Sequence, residues 1–141
     1  TPVNPDSYYG VSKSFGEDLG RYYVEREGPV ERFYALRIGG LLAAAYDHPY
    51  GYLERARDRG EDVPDPGTEA YARSARRTQA MWLSRRDCAH LVECCLEDRS
   101  HSFSVFYGVS DNSDRWFDLE HARATVGYNP RDDAAEYPLP E

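Results

Sequence analysis

Glu31 to Ile38 (Glu-Arg-Phe-Tyr-Ala-Leu-Arg-Ile) constrains the fold more than any other stretch of the chain. Its middle is almost continuously apolar and rich in aromatic and branched side chains. Such a run suits a strand covered on both faces, as in a parallel sheet. Ahead of it, Val11, Phe15, Leu19, Tyr22 and Tyr23 recur at helical intervals along Tyr8 to Glu27 and give one apolar stripe. Thr1 to Asp6 is a proline-punctuated approach, and Asp6 or Ser7 can cap the helix that follows. Gly28-Pro29 predicts its stop, Gly28 as a left-handed cap and Pro29 because it cannot continue a helix. A long helix followed by such a strand is the second half of a βαβ unit, which makes the class α/β.

The remaining signals are consistent with that class. Gly39-Gly40 ends the strand, and open α/β sheets place ligands at the carboxyl ends of their strands. Residues 44–76 are dense in charge, proline and glycine, and read as an irregular charged insertion. Short helices are expected within it near Glu54–Arg59 and Glu69–Arg76. A loop of that length is commonly a lid or a binding loop. His48 has no metal-ligand partner at useful spacing and is expected on a surface turn.

Ser84-Arg85-Arg86-Asp87 has the capping-box pattern ahead of a helix over Cys88–Asp98, with Cys88, Leu91, Val92, Cys95 and Leu96 as its buried face. His90 falls beside that stripe as a satisfied, half-exposed histidine. Ser102 to Val109 reads as a second buried strand. A short helix, Leu119–Val126, starts at Asp118 and ends at Gly127. The tail from Arg131 is acidic and proline-rich and is expected to fray.

Composition excludes several functions. A net charge of −8 and a pI near 5.0 argue against a nucleic-acid partner, which would select a basic face. No apolar run approaches the roughly 18 residues needed to cross a bilayer, and no signal peptide opens the chain, so a cytoplasmic location is expected without a membrane partner. Acidic residues number 25 against a single lysine, a balance that suits a high-salt, halophilic cytoplasm where repulsion between carboxylates is screened. Cys88, Cys94 and Cys95 fit no metal spacing and are expected as buried free thiols. Twelve tyrosines suggest an aromatic core and an aromatic-lined pocket.

The chemistry concentrates at Tyr9 and Lys13. At i and i+4 they share one helix face, one turn apart. An ammonium beside a phenol favours the phenolate, which is what a general base needs to take a proton from a sugar hydroxyl. Y-x-x-x-K spacing is also common on solvated helix faces. Lys13, however, is the only lysine among 17 basic residues, and a compact point charge does what a planar guanidinium cannot.

Pro5-Asp6-Ser7-Tyr8-Tyr9-Gly10-Val11-Ser12-Lys13, with Glu17 following, resembles the active-site segment of extended short-chain dehydrogenases/reductases, the NAD-dependent epimerase/dehydratase family. Asp118-Leu119-x-x-Ala122-x-x-x-Val126-Gly127-Tyr128-x-Pro130 is a second, independent match. Met81-Trp82-Leu83-Ser84-x-x-Asp87 and Val105-Phe106-Tyr107-Gly108-Val109-Ser110-x-Asn112-x-x-x-Trp116 are similar to segments of the uronate dehydrogenase family. The match covers residues 1–43 and 77–130.

The resemblance implies the C-terminal portion of a Rossmann-like, doubly wound parallel sheet with a small substrate-binding region. Residues 1–43 would be the active-site helix and the following core strand, 44–76 the insertion, and 77–141 the substrate-binding region. The implied enzyme oxidises the C1 hydroxyl of glucuronate or galacturonate to a lactone and passes hydride to NAD, with NADP not excluded.

In it Tyr9 would take the hydroxyl proton, and Lys13 would support Tyr9 and hold the nicotinamide ribose. Ile38 and Gly39 would lie beside the nicotinamide, and Gly40 beside the sugar where the family usually has serine. Arg77, with Arg76 as the alternative, would clamp the uronate carboxylate. Arg37 is expected to be structural.

The chain carries no glycine-rich turn after a strand, and no acidic residue is placed for the adenosine ribose. Pyrophosphate therefore has no seat of backbone amides in this chain. The N-terminal dinucleotide-binding half would thus be absent. The expected partners are a small sugar acid, a second copy meeting through the Tyr9 helix, and a separate N-terminal half. The alternatives are a nucleotide-sugar epimerase or dehydratase relative, and an inactive remnant that self-associates.

Overall fold

The computed structural model describes residues 4–26 and 28–141. The expectations that rest on residues 1–3 and on Glu27 therefore lie outside the described residues. Helix α1 spans Tyr8–Val24 and strand β1 spans Phe33–Ile38. A 3₁₀ turn, Ala44–Tyr46, leads into α2 (Gly51–Asp58) and α3 (Glu69–Met81). Then come α4 (Arg85–Glu97), β2 (Phe103–Gly108), α5 (Glu120–Val126) and a last 3₁₀ turn, Ala134–Glu136.

Ser7 caps α1 by accepting a hydrogen bond from the Gly10 amide at 3.1 Å, as a serine at the first non-helical position should. The helix ends earlier than Gly28 and by a different device. Glu25 closes it in right-handed geometry, its N–H bonded to the Arg21 carbonyl. Left-handed glycines among the described residues are Gly60, Gly67 and Gly127, and only Gly127 fulfils the cap expected of it. Gly20 is where α1 meets the sheet. A methyl group there would stand 2.3 Å from the Phe33 ring, so only hydrogen lets the two elements approach. The expected stripe of α1 lies mostly in solvent: Val11, Phe15, Tyr22 and Tyr23 are all exposed.

The strands pair in parallel, with Phe33 opposite Phe103 and Ile38 opposite Gly108. Among the described residues β1 has a strand partner on one edge only. Phe106 from β2 and Val109 just after it enter the main core with Leu91, Cys95, Leu119 and Tyr128. Full burial of side chains of this size contributes about 1.5–3 kcal/mol each, and this cluster holds α4 and α5 to the strand. A smaller cluster of Tyr50, Leu53, Tyr71 and Ala75 joins α2 to α3. Residues 44–76 are thus more regular than expected, because two short amphipathic helices bury their apolar faces on each other.

Helix α4 starts where the capping box predicts, with Ser84 Oγ accepting from the Asp87 amide at 3.0 Å. Its buried face is rotated from the expected one. Asp87, Leu91, Cys94 and Cys95 are inside, while Val92 and Leu96 are exposed. All three cysteines are free thiols, Cys88 half-buried and the other two buried. Burial pushes the thiols of all three up, that of Cys95 to about 11, which makes them inert.

Asp87 is buried because both its oxygens accept main-chain hydrogen bonds, from Arg131 N at 2.9 Å and Asp132 N at 3.0 Å. Asn112 Oδ1 accepts from Ala134 N at 3.1 Å, and Ala134 is buried. The tail beyond Arg131 is therefore docked where fraying was expected. Asp87→Ala should cost about 1–3 kcal/mol, since it leaves two part-buried main-chain amides unpaired. A denaturant midpoint unchanged from wild type would show that the tail does not depend on this carboxylate.

Candidate active site

Tyr9 and Lys13 project from the same face of α1. The Lys13 ammonium lies over the Tyr9 ring, 5.1 Å from its centroid, a cation–π contact. Both side chains are solvent-exposed, Tyr9 by 72%. The helix that carries them is fixed to the sheet by Glu17. This carboxylate accepts two bonds from Arg37, from Nε and Nη2, each at 2.8 Å, and Arg37 Nη1 donates to Tyr107 Oη at 3.2 Å. Arg37 is structural, as expected, and its partner is the glutamate one turn beyond Lys13.

The Arg37 hydrogen bond holds the Glu17 carboxyl below its ordinary value of 4.5, against the opposing effect of burial. A depressed carboxylate stabilises the fold above its unfolded value, and that contribution is lost as pH falls through the folded value. Below about pH 4.5 the α1–sheet contact should therefore weaken, and Glu17→Gln should flatten that part of a stability–pH curve. An identical acid limb in the variant would contradict this.

At the carboxyl end of β1 the chain passes through Gly39 and Gly40. Gly39 N donates to Gly108 O at 2.9 Å, and Gly40 N to Met81 O at 2.7 Å. Leu83 N returns a bond to Gly40 O at 3.1 Å, so residues 81–83 run beside the turn as a short parallel bridge. A cleft of about 470 Å³ opens there, lined by Gly39, Gly40, His48, Tyr52, Ser74, Arg77, Thr78, Met81 and Trp82 among others. A broader groove of about 750 Å³ lies on the exposed apolar face of α4, lined by Leu41, Val92 and Leu96. The smaller cleft is the better site. It sits at a strand terminus and gathers polar groups from three elements, as ligand sites in α/β folds do.

Of the expected residues, the structure brings Gly39, Gly40 and Arg77 together in this cleft, while Tyr9, Lys13 and Ile38 do not line it. Arg76 does not line it either, and Arg77 makes no ion pair among the described residues. His48, expected on a surface turn, is half-buried on the cleft wall. Ser74, Thr78 and Met81 carry no motif of their own. Together with Arg77 they stand at i, i+4, i+7 and i+3, one face of α3, and that spacing is the signal that could have found them. His90 is satisfied, its Nε2 accepting from Asn129 N at 3.1 Å. Among the described residues no cluster of His, Cys, Asp or Glu could hold a metal ion, and no helix is long and apolar enough to cross a membrane.

A helix passing into a parallel strand, with a cleft at that strand's carboxyl end, is the arrangement of an open, dinucleotide-binding type of α/β sheet. No family model matches the chain. It is 38% identical over 94% of its length to an NAD-dependent glucose-6-phosphate dehydrogenase of Haloferax volcanii. It is also 38% identical over 95% to an L-arabinose 1-dehydrogenase (NAD(P)(+)) of the same organism. A uronate dehydrogenase of Pseudomonas syringae is 33% identical over 94%. Among solved structures, a variant uronate dehydrogenase of Agrobacterium tumefaciens complexed with NAD superposes with a TM-score of 0.65 at 25% identity. That match covers all of this chain and 44% of the other. The chain's homologues are thus NAD-dependent sugar dehydrogenases, uronate dehydrogenases among them. The chain spans 37–46% of the length of these curated relatives.

Gly39 and Gly40 differ in what they tolerate. A methyl group on Gly39 would meet Met81 O at 2.2 Å and Val109 Cγ1 at 2.9 Å, whereas one on Gly40 finds only ordinary contacts from 3.6 Å. Gly39→Ala should destabilise by about 1–3 kcal/mol through overpacking, and Gly40→Ser should be close to neutral. Equal thermal midpoints for the two variants would contradict the crossing described here.

Proposed function

We infer that this chain is the substrate-side portion of an NAD-dependent sugar dehydrogenase, corresponding to the C-terminal part of its relatives, and that its cleft takes a sugar acid. The observation that carries this is Arg77. It is a guanidinium with no acidic partner among the described residues, on the wall of a cleft floored by the Gly39-Gly40 turn. A carboxylate entering there gains a bidentate, charge-assisted pair. A second reading, a neutral or phosphorylated aldose, is favoured by the two Haloferax relatives at 38% identity. Arg77 would serve a phosphate equally well.

The donor set on α1 and at the strand end fits the nicotinamide-ribose end of NAD. Lys13 offers an ammonium to ribose hydroxyls and Tyr9 a phenol, and Ile38–Gly39 stand at the strand terminus. NAD supplies the hydride acceptor. Tyr9 would take the proton of the C1 hydroxyl of a hexuronic acid, and its oxidation to a lactone would be completed by hydride acceptance on NAD. Lys13 sets positive charge against the Tyr9 ring. The pyrophosphate and adenosine contacts would come from an N-terminal portion, which this chain would join through the free edge of β1. The exposed stripe of α1 would serve self-association. The acid-rich surface, and relatives from Haloferax, suit a high-salt cytoplasm.

Joined to a matching N-terminal portion, the protein should reduce NAD with glucuronate. Tyr9→Phe should then lower kcat by about 10²–10⁴-fold, the usual contribution of a general base. The 141-residue chain alone should form no NADH. A Phe variant as fast as wild type would remove Tyr9 from this role.

A further inference from the structure

His48 belongs to no motif, yet it stands on the cleft wall with its side chain held by a carboxylate. The turn that carries it is fixed on both sides. Asp47 accepts from the Arg85 amide at 3.2 Å, so the start of α4 holds one end. Tyr50, buried, donates its hydroxyl to Tyr137 O at 2.9 Å and accepts from Gln79 Nε2 at 2.8 Å, so the docked tail and α3 hold the other. Gly51 closes the turn against the Tyr46 carbonyl, which a methyl group would strike at 1.9 Å. Within this frame His48 Nε2 lies 2.7 Å from Glu54 Oε2.

A carboxylate can only accept, so Nε2 carries a proton and donates it to Glu54. The other ring nitrogen, Nδ1, has no hydrogen-bond partner among the described residues. It can accept from a hydroxyl when the ring is neutral and donate to an oxygen when the ring is charged. A half-buried imidazole oriented by a carboxylate behind it, on a braced turn facing a cleft, is a preorganised polar contact.

We propose that His48 is a sugar-binding residue of the cleft, with Glu54 as its positioning residue, and that Nδ1 hydrogen-bonds a ring hydroxyl of the bound sugar. This rests on the cleft being the sugar site but is separable from the role of Arg77. Arg77 reads the anionic end of a ligand, whereas His48 reads a hydroxyl that neutral and anionic sugars share. Residues 44–76 thereby contribute directly to recognition.

The test is a titration of the 141-residue chain with D-glucuronate, D-glucose 6-phosphate and L-arabinose. Dissociation constants and the imidazole nitrogen resonances of His48 are both followed by NMR. Binding should move the His48 Nδ1 resonance. His48→Phe should weaken all three sugars by about three- to tenfold, the value of one neutral hydrogen bond, with His48→Gln recovering part of the loss. Glu54→Ala should weaken binding in the same direction. Arg77→Met should weaken the two anionic sugars and leave L-arabinose unchanged. If the Phe variant were to unfold, the wild-type Nδ1 shift and the Gln variant would decide. Wild-type affinity in His48→Phe or His48→Gln, or an unmoved Nδ1 resonance beside an Arg77-dependent loss, overturns this proposal and leaves the cleft reading standing. Binding of none of the three sugars overturns both.

Discussion

The cleft exists because three backbone segments converge on Trp82. Its carbonyl accepts from Ser110 N at 2.9 Å and from Asn112 Nδ2 at 2.8 Å, which ties it to the end of β2. The residues on either side of it pair with Gly40, which ties it to the end of β1. Residues 81–83 thus act as a short third rung across two strand termini. No buried side-chain polar atom among the described residues lacks a partner, in keeping with the cost of leaving one orphaned. Arg77, near the end of α3, is placed beside this crossing, while the turn carrying His48 is held by Asp47 and Tyr50.

A second constraint runs through Asp87. A carboxylate this far inside would be prohibitive alone, but two main-chain amides of residues 131 and 132 meet it. The docked tail then reaches Trp82 itself, with the Tyr137 ring edge-on to the indole at 5.2 Å between centroids. The same tail accepts the Tyr50 hydroxyl through Tyr137 O. Core, tail and cleft wall are therefore one connected network, whereas Tyr9 and Lys13 stand on an exposed helix face held by the Glu17–Arg37 pair. For Tyr9 to act as the base of the proposed enzyme, the sugar hydroxyl must come within about 2.6–3.2 Å of its phenol oxygen.

How much of this was legible follows from the range of each interaction. The Ser7 and Ser84 caps and the Gly127 stop rest on neighbours within a few residues, and each strand shows as a local apolar run, so the local pattern discloses them. The face of α4 does not, because it carries more apolar residues than one stripe can hold. Asp87 takes an inside position through bonds to residues 44 and 45 places away, while Leu96 goes out. The docked tail is hidden for the same reason. In the cleft, Gly39 and Gly40 are visible as a strand terminus, and Arg77 only through the family resemblance. His48 is not, since its bracing by Asp47, Tyr50 and Gln79 is entirely long-range or depends on a turn that no spacing rule encodes.

The central claim is that the Gly39-Gly40 cleft seats an anionic sugar by way of Arg77. A crystal structure of the chain soaked with D-glucuronate tests it most directly. The account predicts the carboxylate paired with both terminal nitrogens of Arg77, with the ring above Gly40. Glucuronate bound elsewhere, or bound in the cleft with its carboxylate turned away from Arg77, would contradict it.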